Sequence, residues 1–153
     1  MTTPPTKSVS TIQLTWAGDH RFDSGRPGGP TIRLDGEGVT GQSPVDAIMS
    51  ALAACTAVDV VDILAKRRTP LSALSVDAVG TRADTTPKRI VAAELTYHLT
   101  GDGVDRSHAE RAIELAITKY CSVRDSLDPA LPILYRAVVN GAHGELRAPG
   151  TST

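Results

Sequence analysis

The chain has 153 residues, with 16 basic and 17 acidic side chains and a formal net charge of -1 at pH 7. Charges of both signs are mixed along it, so no basic stripe could follow a phosphate backbone, and nucleic acid is not expected as a partner. The length favours a single domain over 1–153, with an aliphatic core because only 3% of the residues are aromatic. Residues 1–7 and 142–153 are predicted to be flexible tails.

The two cysteines are expected to be in a reducing compartment. The N-terminal residues lack the apolar run of a secretion signal, and no later segment has the roughly 20 uncharged apolar residues of a membrane span. We therefore expect a cytoplasmic protein with no membrane partner. Because the cytosol keeps ordinary thiols reduced, Cys55 and Cys121 are better explained by thiol chemistry than by a structural disulfide.

The first third of the sequence predicts a strand meander followed by a long helix. Alternating segments at 9–16, 20–24 and 31–35 are separated by turn residues and predict three short strands. At Ser43 the sequence Ser-Pro-Val-Asp provides an N-cap hydroxyl, a proline at the first helical position and an acid at the third. The apolar residues that follow, up to Ala65, predict a helix that is mostly buried.

The rest of the chain predicts an α+β fold. Segments 71–83 and 89–100 alternate with period two and predict a hairpin. A capping pattern at Ser107 opens an amphipathic helix. The Ser-x-x-Asp pattern at 122–125 then predicts a break and a short restarted helix, and 133–140 predicts the last strand.

The cysteines are the candidate reactive groups. Cys55 lies about three turns into the apolar helix, among small side chains that leave space for a substrate. Cys121 directly precedes the predicted helix restart, where free amides and the helix dipole would lower the pKa of its thiol and let it resolve an oxidised partner. The alternative is that both are packed, inert thiols, because the sequence does not show that the sulfurs meet.

Two segments resemble the OsmC/Ohr superfamily, named for osmotically inducible and organic hydroperoxide resistance proteins. The segments are Gly41-Gln42-Ser43-Pro44-Val45-Asp46 leading into Ala53-Ala54-Cys55, and Lys119-Tyr120-Cys121-Ser122-Val123. The resemblance covers about 8–139 and is closest to the YhfA-like branch. It implies an OsmC-like fold, in which antiparallel sheets wrap around two long central helices of an intertwined homodimer and the active sites lie at the subunit interface.

The same resemblance implies a thiol peroxidase that reduces organic hydroperoxides to alcohols in oxidative stress defence. By position, Cys55 matches the peroxidatic cysteine, Cys121 the resolving cysteine, and Arg21 the arginine that stabilises the thiolate. Cys55 would attack the outer peroxide oxygen, become a sulfenic acid and then form a disulfide with Cys121. A dithiol or thioredoxin-like donor would reduce that disulfide, and no cofactor is expected.

The sequence departs from the family pattern beside the helix start. Val45 stands where well-characterised peroxidases of the family carry a glutamate, and Asp46 lies one residue later, about 100° around the helix. Asp46 is also the capping-box acid, so it is only a candidate supporting residue. After the second cysteine, Ser122 and Val123 replace a proline and an aromatic residue. These departures support an alternative function, a redox-sensing or small-molecule-binding dimer without turnover.

The other polar residues are weaker candidates for functional groups than the two cysteines. Asp59, one turn beyond Cys55, is a second candidate supporting acid, although acids near a helix end usually meet water or a nearby lysine. The histidines have no ligand-like spacing, so a metal site is not expected; they are His20, His98, His108 and His143. No Gly-rich phosphate loop is present, so nucleotide binding is not expected.

Overall fold

The computed structural model describes residues 1–2 and 7–151. The chain divides into two compact units, residues 1–47 and 48–153. In the first unit, β1 (Gln13–Trp16), β2 (Arg21–Gly25) and β3 (Thr31–Asp35) form an antiparallel sheet in that order. The predicted meander is therefore confirmed, but its first strand begins at Gln13 and not at residue 9.

The sheet of the first unit has one apolar face. Trp16 pairs with Phe22, and Phe22 pairs with Leu34, so their side chains share a face with those of Leu14 and Ile32. Leu14, Trp16 and Ile32 are each more than half exposed within the chain. This face is thus apolar and largely uncovered.

The long helix α1 spans Pro44–Lys66 and begins as predicted. Ser43 Oγ accepts a hydrogen bond from the N–H of Asp46 at 3.2 Å, and Asp46 Oδ2 accepts one from the N–H of Ser43 at 3.2 Å. The expectation that most of α1 is buried is wrong within the single chain. Its buried residues form one stripe, whereas Ile48, Val58 and Val61 are exposed; the stripe is Met49, Leu52, Thr56, Val60 and Leu64.

Helix α1 is also long and apolar enough to cross a membrane when judged by length and composition alone. Its most apolar 18-residue window has a mean hydropathy of 1.9, and 28% of that window is buried. The expectation of no membrane span depended on the charges at Asp46, Asp59, Asp62 and Lys66. The core helix of a soluble protein passes the same test, so this property does not separate the two cases.

The second unit contains a mixed four-stranded sheet. Its order is β4 (Ala73–Arg82), β5 (Ile90–Thr100), β6 (Ile133–Val139) and β7 (Ala142–His143). The predicted hairpin is confirmed, because β4 and β5 are antiparallel. The expectation of purely antiparallel sheets is wrong, because β6 runs parallel to β5. A parallel pair needs a long crossover connection, and the helices between these two strands provide it.

Helix α2 (Arg106–Leu115) begins two residues earlier than its predicted capping pattern at Ser107 implies. Asp105 is the N-cap, and its carboxylate accepts a hydrogen bond from the N–H of His108 at 2.8 Å. Ser107, the predicted cap, donates its hydroxyl to the same carboxylate at 2.9 Å. The carboxylate is a charged acceptor and lies one residue before the first helical turn, so it takes the role predicted for the serine.

The core of the second unit packs α1 and α2 against β5. Leu52 and Leu64 of α1, Leu95 and Tyr97 of β5, and Ile113 of α2 are all fully buried. Cys55 lies between Leu52 and Thr56 on the helix and packs against this cluster. The core therefore fixes the helical turn that carries Cys55.

Residues 142–151, predicted as part of a tail, contact the second unit. Strand β7 pairs with β6. Arg147 exchanges two backbone hydrogen bonds of 2.8 Å with Tyr135, and its guanidinium pairs with Glu110. Residues 3–6 and 152–153 of the predicted tails lie outside the described residues. The flexibility of both tails and the single domain stay predictions.

Candidate active site

Cys55 and Cys121 come together in the second unit. Both are free thiols; Cys55 is half-buried and Cys121 is 4% exposed. The Cys121 thiol donates a hydrogen bond to the sulfur of Cys55. Helix α1 contributes the first sulfur, and the junction after α2 contributes the second. The two candidate residues that the sequence could not connect are thus neighbours.

A π-helical turn positions Cys121. After α2 the helix widens over Ala116–Tyr120, and the N–H of Cys121 bonds to the carbonyl of Ala116, five residues back, at 2.9 Å. Cys121 is then extended, with φ -72° and ψ 105°, which ends the helix. Such turns are rare and often mark functional sites. The sequence pattern predicted an ordinary helix here and missed the π turn.

The short helix α3 (Ser122–Asp125) restarts as predicted, but its cap is one residue earlier. Cys121 Sγ accepts a hydrogen bond from the N–H of Arg124 at 3.2 Å and so acts as the N-cap. The N–H of Val123 donates to the sulfur of Cys55. The first amides of a helix have no partner inside it, and here two successive ones bind two sulfurs.

The two thiols have opposite pKa shifts. Burial raises the pKa of Cys55, but hydrogen bonds from the Val123 N–H, the Cys121 thiol and the Ser122 hydroxyl outweigh it and lower the pKa below its ordinary value. All three groups stabilise a negative sulfur. Because the thiolate is the nucleophilic form, Cys55 is the sulfur that this site prepares for attack.

Cys121 does not have the lowered pKa that the sequence predicted. Its pKa is raised to about 11, chiefly by burial; the hydrogen bond to Cys55 and the negative charge of Cys55 raise it as well, whereas the N–H groups of Arg124 and Val123 lower it. The start of α3 is present and its amides lower the pKa of Cys121, but the burial of this thiol raises the pKa by more. Cys121 is therefore the weaker acid of the two thiols and the donor in their hydrogen bond.

A hydroxyl pair that the sequence did not reveal lies next to this site. Thr56 and Tyr97 are fully buried, and their hydroxyl oxygens are 2.7 Å apart. Thr56 donates to the carbonyls of its own helix at 3.0 Å, so Tyr97 is the donor between the two hydroxyls. Burial raises the pKa of Tyr97 far above neutrality, and negative charge on Cys121 raises it too. The period-two pattern of β5 placed Tyr97 inward but did not link it to Thr56.

Two cavities include residues of the sulfur pair or residues close to it in the sequence. A cavity of about 860 Å³ is lined by Cys121 and Ser122 together with the loop before β6. A smaller recess of about 440 Å³ includes Asp59 and Tyr120. The charge of Asp59 raises the pKa of Cys55, so this candidate supporting acid opposes the thiolate.

The other candidate residues lie in the first unit. Arg21 begins β2, and its guanidinium pairs with the carboxylate of Asp19. The Asp46 carboxylate accepts the hydrogen bond from Ser43 that caps α1. Val45 is half-buried. In the described part of the chain, no three His, Cys, Asp or Glu side chains are grouped to hold a metal ion.

Comparison with known proteins agrees with this architecture. The family described as OsmC-like protein matches residues 35–136, a range that includes α1 and both cysteines. Protein YhfA of Escherichia coli K12 is 29% identical over 124 residues, which cover 80% of this chain and 92% of YhfA.

Solved structures are similar as well. A hypothetical protein from Aquifex aeolicus is 25% identical, with a TM-score of 0.78 and coverage of 88% of this chain and 98% of its own. An organic hydroperoxide resistance protein from Legionella pneumophila is 16% identical, with a TM-score of 0.60 and coverage of 87% and 98%. The chain has the OsmC-like α+β fold and belongs to the OsmC-like protein family, in its YhfA-like branch.

Proposed function

We propose that the chain is a cysteine-based thiol peroxidase that reduces organic hydroperoxides to alcohols in oxidative stress defence. The observation that carries this proposal is the sulfur pair, in which Cys55 has a lowered pKa and Cys121 is a neutral hydrogen-bond donor to it. The name of the Legionella structure, an organic hydroperoxide resistance protein, supports the substrate class.

The reaction begins at Cys55. Its thiolate attacks the outer oxygen of the hydroperoxide, the O–O bond breaks, and the alkoxide leaves and takes a proton to become the alcohol. Cys55 is then a sulfenic acid, two electrons more oxidised than the thiol. Cys121 attacks this sulfur, a disulfide forms, and the hydroxyl group leaves as water.

The order of these steps follows from the coupling between the two sulfurs. The negative charge of Cys55 is one cause of the raised pKa of Cys121. A sulfenic acid is neutral, so oxidation of Cys55 removes that repulsion and makes Cys121 easier to deprotonate. The amide of Arg124, 3.2 Å from the Cys121 sulfur, then stabilises the new thiolate. Cys121 thus becomes a better nucleophile only after the peroxide has reacted.

The supporting residues belong to the proposal by family position. Arg21 stabilises the Cys55 thiolate, because a cation lowers the cost of charge on a buried sulfur. Asp46 and Asp59 are assigned weaker roles, since one caps α1 and the other raises the pKa of Cys55. An Arg21→Gln variant is expected to react more slowly with peroxide, and an Arg33→Gln variant, on the same sheet, is the control.

The proposal includes a homodimer. Val58 and Val61 of α1 are 61% and 42% exposed, and Trp16 and Ile32 on the apolar face of the first sheet are 68% and 61% exposed. Apolar surface of this kind marks an interface, and a second copy is the occupant that the family implies. Size-exclusion chromatography with light scattering should give twice the mass of one chain. Val58→Glu should lower the measured mass toward that of a monomer.

The reductant is proposed to be a dithiol or a thioredoxin-like protein. The proposed chemistry needs a compartment that returns both thiols to the reduced form, so we propose a cytoplasmic location. We also propose no membrane partner.

The test measures consumption of cumene hydroperoxide with dithiothreitol as the reductant. Wild type should turn over, and Cys55→Ser should be inactive. Cys121→Ser should reduce about one equivalent of peroxide and accumulate a sulfenic acid that dimedone traps. Equal inactivity of wild type and Cys55→Ser toward alkyl hydroperoxides and hydrogen peroxide, with several donors, would contradict the proposal.

The alternative is a redox sensor or small-molecule-binding dimer that uses the same sulfur pair without turnover. Two observations favour it: Val45 replaces the acid of the known peroxidases, and Asp59 opposes the thiolate. Mass spectrometry after a brief peroxide pulse distinguishes the two functions. A reversible disulfide without steady-state turnover would support the sensor.

A further inference from the structure

The recess of about 440 Å³ that includes Asp59 and Tyr120 carries charges of both signs. Lys66, Arg67 and Arg111 are its cations, and Asp59 and Asp62 its acids. Lys66, Arg111, Asp59 and Asp62 form no ion pair within 4.0 Å with any residue in the ranges that the structure describes. A charged ligand could therefore bind these groups without breaking an existing pair.

One cation of the recess is held in place by its neighbours. Arg67 Nη2 donates to His108 Nε2 at 2.5 Å, and His108 Nδ1 lies 2.8 Å from the carboxylate of Asp105. The guanidinium is the donor in the first of these contacts. This chain of contacts joins the start of α2 to the end of α1 and restricts Arg67, so less entropy is lost when it binds an anion.

The wall of the recess begins one helical turn from the reactive sulfur. Asp59 is one turn beyond Cys55 on α1 and acts electrostatically on its thiol. Tyr120, which directly precedes Cys121, forms part of the wall. Lys66 and Arg67 lie about three turns beyond Cys55, and helical side chains lean toward the N-terminal end, so their charges are on the order of 10 Å from the sulfur.

These distances define a class of ligand. An extended peptide spans at most about 3.3 to 3.6 Å per residue, so two or three residues separate a thiol from a carboxylate at this distance. A free ammonium group on the same molecule matches Asp59 and Asp62. Ile63, Ala112 and Leu115 provide the apolar part of the wall.

We propose that this recess binds a small acidic cysteinyl peptide, which reduces the oxidised cysteine pair. This inference depends on the proposed function, since it adds a second reductant for the same site, a monothiol peptide beside the dithiol or thioredoxin-like donor. The carboxylate is bound by Lys66, Arg67 and Arg111, the ammonium group by the two acids, and the thiol is directed at Cys55.

The chemistry uses two peptide molecules. The first peptide thiolate attacks Cys55 in the Cys55–Cys121 disulfide, the S–S bond breaks, and Cys121 leaves as a thiolate and takes up a proton. A second peptide thiol attacks the resulting mixed disulfide and releases the Cys55 thiolate and an oxidised peptide disulfide. Two thiols thus supply the two electrons that reduce the protein.

The test measures binding separately from chemistry. Glutathione methylated at sulfur cannot react, and its binding to the reduced, full-length protein is followed by calorimetry. Lys66→Gln and Arg111→Gln should each weaken binding roughly two- to fivefold, the effect of one partly exposed ion pair. Lys88→Gln, in the turn between β4 and β5, is the control and should bind as wild type does. Esterification of both peptide carboxylates should abolish binding.

A second measurement follows reduction of the protein disulfide after oxidation with diamide. Glutathione should reduce it faster than its diester does, and Lys66→Gln should make that difference smaller. No binding of the methylated peptide at millimolar concentration, or equal binding by the diester, would overturn the inference. Peroxide turnover with dithiothreitol but no peptide binding would contradict the inference alone. Peptide binding without any peroxide turnover would contradict only the proposed peroxidase function.

Discussion

The Cys121 thiol donates a hydrogen bond to the sulfur of Cys55, and the pKa values of the two residues are shifted in opposite directions. Two successive N–H groups at the start of α3 donate hydrogen bonds to the two sulfurs. Val123 donates to Cys55, and Arg124 donates to Cys121. Burial decides the difference, because Cys121 is almost completely buried whereas Cys55 is partly exposed. The two thiols therefore differ in acidity, and Cys55 is the more acidic of the pair.

This asymmetry predicts different pH profiles for alkylation of the two cysteines. Only the thiolate reacts, so Cys55 should reach half its maximal rate with iodoacetamide at a lower pH than an ordinary cysteine does. Cys121 should react appreciably only as the pH approaches about 11. Mass spectrometry of the two peptides over a pH series measures both profiles. In Cys55→Ser the Cys121 profile should move to lower pH, because a cause of its raised pKa is gone. Coincident profiles in wild type would contradict the assignment.

Ser122 provides a second test of how the thiolate is stabilised. Its hydroxyl donates to Cys55, so Ser122→Ala should raise the pKa of Cys55 and slow its alkylation at neutral pH. Ser126→Ala is the matched control, because the Ser126 hydroxyl bonds instead to the carbonyl of Ser122 at 2.7 Å. Ultraviolet absorbance of the thiolate during a pH titration, in a Cys121→Ser background, reports the shift. An unchanged titration in Ser122→Ala would exclude the hydroxyl as a stabilising group.

Much of the fold could be predicted from local patterns. The capping box at Ser43, the period-two alternation of β4 and β5, and the helix restart after Cys121 depend on neighbouring residues, and the structure contains all three. The parallel pairing of β6 with β5 could not be read locally. It depends on where the chain returns after α2, which no single segment specifies.

The site was only partly predictable for the same reason. The two cysteines stand out by their residue type, and the family resemblance paired them. The pKa of Cys121 was expected to be lowered because a helix start is visible in the sequence, but its burial is a tertiary property. The π turn and the contact of Thr56 with Tyr97 likewise join residues through packing and have no sequence pattern of their own.

The cap of α2 offers a simple stability test. Asp105 accepts the hydrogen bond from His108 N–H, whereas Ser107 only donates to Asp105. Asp105→Ala should therefore lower the urea midpoint, and Ser107→Ala should change it much less. The backbone hydrogen bond from His108 lowers the pKa of Asp105. The stability that the Asp105 carboxylate contributes is therefore fully present above the carboxyl pKa of the unfolded chain, about 3.9. It is lost as the pH falls through the lower pKa that Asp105 has in the folded protein. If Asp105→Ala and Ser107→Ala lowered the urea midpoint equally, the assignment of Asp105 as the cap would be contradicted.

The buried hydroxyl pair gives the sharpest energetic prediction. Tyr97→Phe removes the donor to Thr56, one hydrogen bond in a fully buried site, and should cost about 0.5 to 1.5 kcal/mol of unfolding free energy. Thr56→Val leaves the Tyr97 hydroxyl without a partner and should cost more, about 1 to 3 kcal/mol. Tyr120→Phe, at a half-exposed tyrosine, is the control and should stay within about 0.5 kcal/mol.

The double variant separates this bond from general loss of packing. Once Tyr97 is phenylalanine, Thr56→Val no longer strands a buried hydroxyl, so the double variant should lose less stability than the two single variants together. Urea unfolding of the wild type, the two single variants and the double variant gives the coupling free energy between the two side chains. Because Thr56 is adjacent to Cys55 on α1, the same variants should also alter the alkylation rate of Cys55. Strict additivity would show that the 2.7 Å contact contributes nothing of its own.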